Sequence, residues 1–95
     1  MRIARSPPLR LLRVYCVAAR QLSFKGAAEL LHLTPSAVSH QVLDLEEHLG
    51  AKLFVRAGRG IALTARGERL HGIVRTHLRA LTDAVREPER FDPRT

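Results

Sequence analysis

Thr34, Pro35, Ser36, Ser39, His40 and Gln41 fall within one short stretch, LTPSAVSHQVLDLEEHLG, residues 33–50. Hydroxyl, imidazole and amide groups donate and accept hydrogen bonds, yet as short polar groups they add little to a helix. Set close together, they suit one kind of chemistry, hydrogen bonding to the edges of bases. At the start of a helix the free backbone amides and the positive end of the dipole can also hold a phosphate. Pro35 removes one of those amides and fixes the direction of entry. For any single serine, ordinary helix-start chemistry is the competing explanation.

Other chemistries are poorly supported. The histidines are His32, His40, His48, His71 and His77, with no HExxH and no Cys/His pair at ligand spacing. His71 and His77 are six apart, on opposite sides of a helix. Neither a metal nor a cofactor is expected. The turn AGRG, residues 57–60, lacks the Lys-Ser/Thr that follows a nucleotide-binding phosphate loop. Cys16 is the only cysteine, so an intrachain disulfide is excluded. Its apolar neighbours make it a small core residue rather than a redox sensor. An enzyme is not expected.

The 95 residues suffice for one small domain, and 16 basic against 9 acidic side chains give a net charge of +7. That excess points to a polyanion, nucleic acid first, with a merely solvated basic surface as the alternative. No apolar run could span a bilayer and no secretory signal opens the chain, so a cytoplasmic protein without a membrane partner is expected.

The polar groups need elements to hold them. Residues 1–5 read as a frayed start. Ser6 offers a cap and Pro7 a first helical residue for helix 1, roughly 7–20, with Leu9, Leu12, Cys16 and Ala19 at helical spacing. Ser23 caps helix 2, whose Ala27, Ala28 and Leu31 form a narrow stripe of mostly small residues. His32, Leu33 and Thr34 alone separate it from helix 3, forcing a sharp turn. Helix 3 starts from the Thr34 cap, buries Val38, Val42, Leu45 and Leu49, and ends at Gly50. Residues 53–56 and 61–63 read as short strands joined by AGRG. Phe54 and Arg56 share one strand face, so with Phe54 buried, Arg56 reaches solvent only if the strand ends near Val55. Pairing of Arg56 with Glu46 is the structural alternative. Thr64 caps a helix running to about Glu87, before Pro88. At 1.5 Å per residue it is roughly 33 Å long. Its apolar stripe exceeds what so small a core can cover, so Leu70, Ile73, Val74, His77, Leu78, Leu81 and Val85 are expected to face a second chain. Folding back over the core is the alternative.

The predicted fold is therefore mainly α: a winged helix-turn-helix, with a three-helix core plus a two-stranded wing, followed by a long dimerisation or linker helix. Residues 1–63 form the DNA-binding domain, 64–87 the linker helix, and 88–95 a tail or truncated interdomain linker. Helix 3 (35–49) would enter the major groove and the wing (53–63) would lie on the backbone or minor groove.

Over about residues 7–87, and through the stretch from Leu22 to Gly67 above all, the chain resembles the winged helix-turn-helix domain of LysR-type bacterial transcriptional regulators. The resemblance rests on Ser23-Phe24, Ala27-Ala28, Ser39 with Gln41, Leu45-Glu46, Leu49-Gly50, Leu53-Phe54 with Arg56, and Leu63-Thr64 with Gly67. The opening PPLRLL and AVSHQ are similar to the branch containing glycine-cleavage and β-lactamase regulators. The resemblance implies that Thr34, Pro35, Ser36, Ser39, His40 and Gln41 lie on a recognition helix. It also implies that Ser23 and Lys25 approach a phosphate, that Arg56 reaches DNA from the wing, and that residues 65–87 dimerise. Arg59 joins Arg56 in the wing.

Promoter DNA and a second copy of the chain are then the partners, with RNA polymerase a further one. Three departures stand out: Gly26 where a basic or polar residue is common, Leu43 on the polar face of helix 3, and a chain that stops before an effector domain. No effector ligand is expected here. The rival reading is a truncated dimerisation partner that modulates a full-length regulator without binding promoters itself.

Overall fold

The computed structural model describes residues 7–87, in the order α1 (Leu9–Gln21), α2 (Phe24–Leu31), α3 (Pro35–Leu49), β1 (Phe54–Ala57), β2 (Gly60–Leu63) and α4 (Ala65–Arg86). The expected frayed start, the Ser6 cap and the 88–95 tail lie outside those residues. No helix among the described residues is long and apolar enough to cross a membrane.

Helix α1 is central and packs against α2, α3 and α4. A helix covered on three sides needs a wide apolar arc, and Leu11, Val14, Tyr15, Cys16, Ala18 and Ala19 are all buried. The sequence places the stripe slightly wrongly: Leu9 is exposed and Leu12 only half-buried. The expected start at Pro7 is also corrected. The helix begins at Leu9, after Pro8 in an extended conformation (ψ 141°). Pro7 precedes another proline, whose ring disfavours the α region for the residue before it.

Ala27 and Ala28 are buried where α2 meets its neighbours, and no larger side chain keeps the helices apart there. Three helices start from hydroxyl caps: Ser23 Oγ accepts from Gly26 N (2.9 Å), Thr34 Oγ1 from Ala37 N (3.0 Å) and Thr64 Oγ1 from Gly67 N (3.0 Å). Helix α3 ends at Gly50 in the left-handed region (φ 66°). Its inward face holds Val38, Val42 and Leu45.

The hairpin pairs Phe54 with Leu63 and Ala57 with Gly60, leaving a two-residue turn whose first residue, Gly58, has φ 58°. Phe54 is buried at its base, edge-on to Tyr15 (5.6 Å between centroids) and to Phe24 (5.4 Å). Each strand begins one residue away from its expected start and the turn is shorter. Contrary to expectation, β1 does not end near Val55. It continues to Ala57, and Arg56 is exposed within it. The helices cover only the base of the hairpin, so two residues on the same strand face meet different surroundings.

The first turns of α4 are locked to this body. Thr64 N donates to the Leu53 carbonyl (3.0 Å) and its hydroxyl to the Lys52 carbonyl (2.8 Å). The Tyr15 hydroxyl donates to the Gly67 carbonyl. A Cβ at Gly67 would collide with the Leu53 carbonyl oxygen, so this close crossing needs glycine.

Candidate nucleic-acid interface

Burying Val38, Val42 and Leu45 turns the opposite face of α3 outward. Thr34, Pro35, Ser36 and His40 are exposed and Ser39 is half-buried. Because Thr34 and Ser23 use their oxygens as helix-cap acceptors, each hydroxyl proton stays available for a phosphate or base oxygen. The amides of Phe24 and Lys25 precede the first possible intrahelical acceptor in α2 and point the same way. Lys25 is exposed beside them. Gln41 departs from the expected surface position: it is half-buried, and its Oε1 is enclosed without a hydrogen-bond partner.

A cleft runs between α3, the start of α2 and the wing. It brings together Ser23, Ser39, Arg56 and Arg59, with the exposed Leu43 on its wall. Lys25, Thr34, Pro35, Ser36, His40 and Gln41 stand outside it. Both arginines are exposed, so their charge remains free to meet an anion.

Glu46 sets the spacing of this arrangement. Its Oε2 accepts from the amides of Leu53 (2.7 Å) and Phe54 (3.3 Å), the residues that lead into β1. Its Oε1 lies 4.0 Å from Lys52 Nζ, a weak contact because the lysine is largely exposed. These backbone bonds take the place of the alternative pairing between Glu46 and Arg56. Neither periodicity nor residue spacing signals such a role, although Leu45-Glu46 is part of the family pattern.

Of the residues expected to face a second chain, Ile73, His77, Leu81 and Val85 are exposed. Leu70 and Leu78 are half-buried. Val74 is a correction: it is buried by the chain's own fold and has no surface to offer a partner. His77 Nδ1 lies 2.8 Å from the Ile73 carbonyl, a contact within the helix.

The titratable groups with displaced equilibria lie behind the cleft, along the α1/α4 seam. Burial raises the Tyr15 phenol, and burial raises the Cys16 thiol against the pull of Arg20 and Arg75. Burial, then Arg75 and Arg20, lowers the His71 imidazole. Among the described residues no group of three or more His, Cys, Asp or Glu side chains could hold a metal ion.

Residues 9–68 match the family model described as "Bacterial regulatory helix-turn-helix protein, lysR family". The chain belongs to the LysR family. It is 47% identical over 83 residues to the Glycine cleavage system transcriptional activator of Escherichia coli strain K12, covering 87% of this chain and 27% of that relative. The chain therefore spans about a quarter of that LysR protein's length. Among solved structures, a BenM DBD/catB site 1 DNA complex is similar, with TM-score 0.77 and 29% identity over 83% of this chain and 85% of that one. A probable transcriptional regulator from Pseudomonas aeruginosa reaches TM-score 0.83 and 35% identity, covering 94% of this chain and 30% of that one.

Proposed function

We propose that this LysR-family chain binds specific sequences in double-stranded DNA and regulates transcription. The start of α3 would read base edges in the major groove, and Arg56 and Arg59 would meet phosphate or a narrow minor groove. One observation carries the reading: a single cleft joins Ser39 of the outward face of α3 to both wing arginines. The similarity to a fold seen in a DNA complex supports it. Ser23, Lys25, Thr34, Pro35, Ser36 and His40 complete the contact surface, and Gln41 contributes through its amide nitrogen. The same reading includes a homodimer through α4, a contact with RNA polymerase and a cytoplasmic location.

The test begins with selection of preferred duplexes from a random pool, followed by salt titrations. Ser39→Ala or His40→Ala is expected to cost about 1–3 kcal/mol on the preferred site and less on random DNA. Arg56→Ala should weaken both and flatten the salt dependence by about one unit per lost phosphate contact. Selection that enriches no sequence would defeat the proposal.

The exposed apolar face of α4 favours a second reading, a dimerisation partner that modulates a full-length regulator without touching promoters. Failure to shift any selected duplex, together with stable pairing to such a regulator, would favour it.

A further inference from the structure

From Ile73 onward α4 has two distinct faces. Ile73, His77, Leu81 and Val85 step by four along one, which is apolar apart from the imidazole. Arg75, Arg79, Thr82 and Arg86 step by four, three and four along the other. At about 100° per residue the two rows lie well over a quarter-turn apart, so a contact through Ile73, Leu81 and Val85 leaves the arginine row free. Leu78, half-buried and lining a cleft between α1 and α4, is assigned to that cleft rather than to the proposed dimer seam.

The second row does not simply face bulk water. It forms one wall of a cleft whose other wall is α1, with Arg13 and Arg20. Cys16, Val17 and Leu78 contribute its apolar lining. Five arginines from two helices thus line one concave strip, and all five are exposed. Among the described residues Asp83 is the only acidic side chain lining it, and no ion pair joins these arginines to a carboxylate. Five like charges gathered around a single carboxylate oppose folding rather than help it. A solvated helix surface explains scattered arginines, but not their convergence from two elements on an apolar floor.

We propose that the α1/α4 cleft docks an acidic α-helix from a protein partner. Carboxylates three and four residues apart would meet the two arginine rows, where the planar guanidinium binds a carboxylate bidentately. Small apolar side chains on the same helix would cover Val17 and Leu78. From Arg75 to Arg86 is about 16 Å along the axis, so about three turns of partner helix are enough. A second copy of α4 is a poor occupant, because it would bring its own Arg75, Arg79 and Arg86 against the first set. Nucleic acid would satisfy the arginines but leave the apolar floor uncovered. The cleft shares no lining residue with the one between α3 and the wing, so both can be filled at once.

The test uses the full chain and a fluorescent helical peptide of about four turns carrying glutamates along one face. A peptide of the same composition, with glutamates spread around the helix, is the control. Anisotropy is expected to show the facial peptide binding about tenfold tighter than the control, and still binding when the chain is saturated with its selected duplex. Arg13→Glu with Arg79→Glu should weaken the facial peptide about tenfold or more. Asp83→Ala, which removes the one opposing charge, should tighten it, giving a readout that does not depend on the double variant's folding. Equal binding of both peptides would overturn the proposal, as would indifference to Asp83→Ala. Displacement of the peptide by duplex DNA would assign the cleft to nucleic acid instead.

Discussion

The two halves of α4 share one helix and meet opposite surroundings. In the first, Thr64, Gly67, Leu70 and Val74 are fastened to the body through the Leu53 and Lys52 carbonyls, the Tyr15 hydroxyl and the apolar core. In the second, Leu81 and Val85 stand in solvent, Val85 with 86% of its surface accessible. Continuous helical hydrogen bonding does not make a helix one unit in packing. The first half is part of the domain. The second is a projection whose Leu81 and Val85 find little cover within their own chain.

Leu81→Arg tests the projecting half and should have the largest effect. In a dimer it places a charge in the seam, and the dissociation constant should rise by at least about a hundredfold. In the isolated chain Leu81 is 54% exposed, so thermal stability of the monomer should hardly move. Sedimentation and melting on the same sample separate the two effects. A wild-type chain that sediments as a monomer at concentrations on the order of tens of micromolar would remove the premise.

Gly67→Ala tests the fastened half. Overpacking against the Leu53 carbonyl and Leu63 should outweigh the gain in helix propensity, for a net loss of about 2 kcal/mol by denaturant titration. Gly72→Ala, five residues along the same helix, should have the opposite sign. A Cβ there meets nothing within 4 Å, so a gain of up to about 1 kcal/mol is expected. If both variants lose stability, the division between the halves lies later in the helix.

The smallest effect concerns pH. His71 sits near the boundary, edge-on to Tyr15, with its imidazole lowered by burial and by Arg75 and Arg20. The unfolded chain therefore binds a proton at His71 more readily than the folded one. The neutral imidazole's contribution is present above the ordinary value near 6.5 and is lost as pH falls through it. His71→Leu should flatten the melting profile between about pH 7 and about pH 5.5. An unchanged slope would show that His71 is as well solvated folded as unfolded.

The local features of this fold were legible in the sequence. Thr34-Pro35 at the start of α3, Gly50 at its end and the Thr64 cap depend on a few neighbouring residues, and all appear as read. What escaped depends on distant packing. Whether Leu9 or Leu11 is buried follows from where α3 and α4 press on α1. Arg56 reaches solvent inside its strand because the helices stop short of it. Val74 is covered while Ile73, its neighbour, is bare, a difference that helical spacing alone could not assign. At the candidate site, Ser39 was readable as a base-edge group from the short polar run at a helix start, whereas the expected role of Arg56 in the wing came from the family pattern. The inward oxygen of Gln41 and the backbone bonds of Glu46 were visible in neither periodicity nor motif.

Those bonds from Glu46 have a mechanical consequence. One carboxylate oxygen ties the last turns of α3 to the first residues of β1, so helix and wing are geared together. In the DNA complex proposed above, a duplex whose minor groove is narrower or wider than the wing's reach would not be met by swinging the wing alone. The helix would have to roll in the major groove with it, or the DNA would have to bend. The pair would then act as a caliper, sensing the distance between two grooves as well as the bases within one.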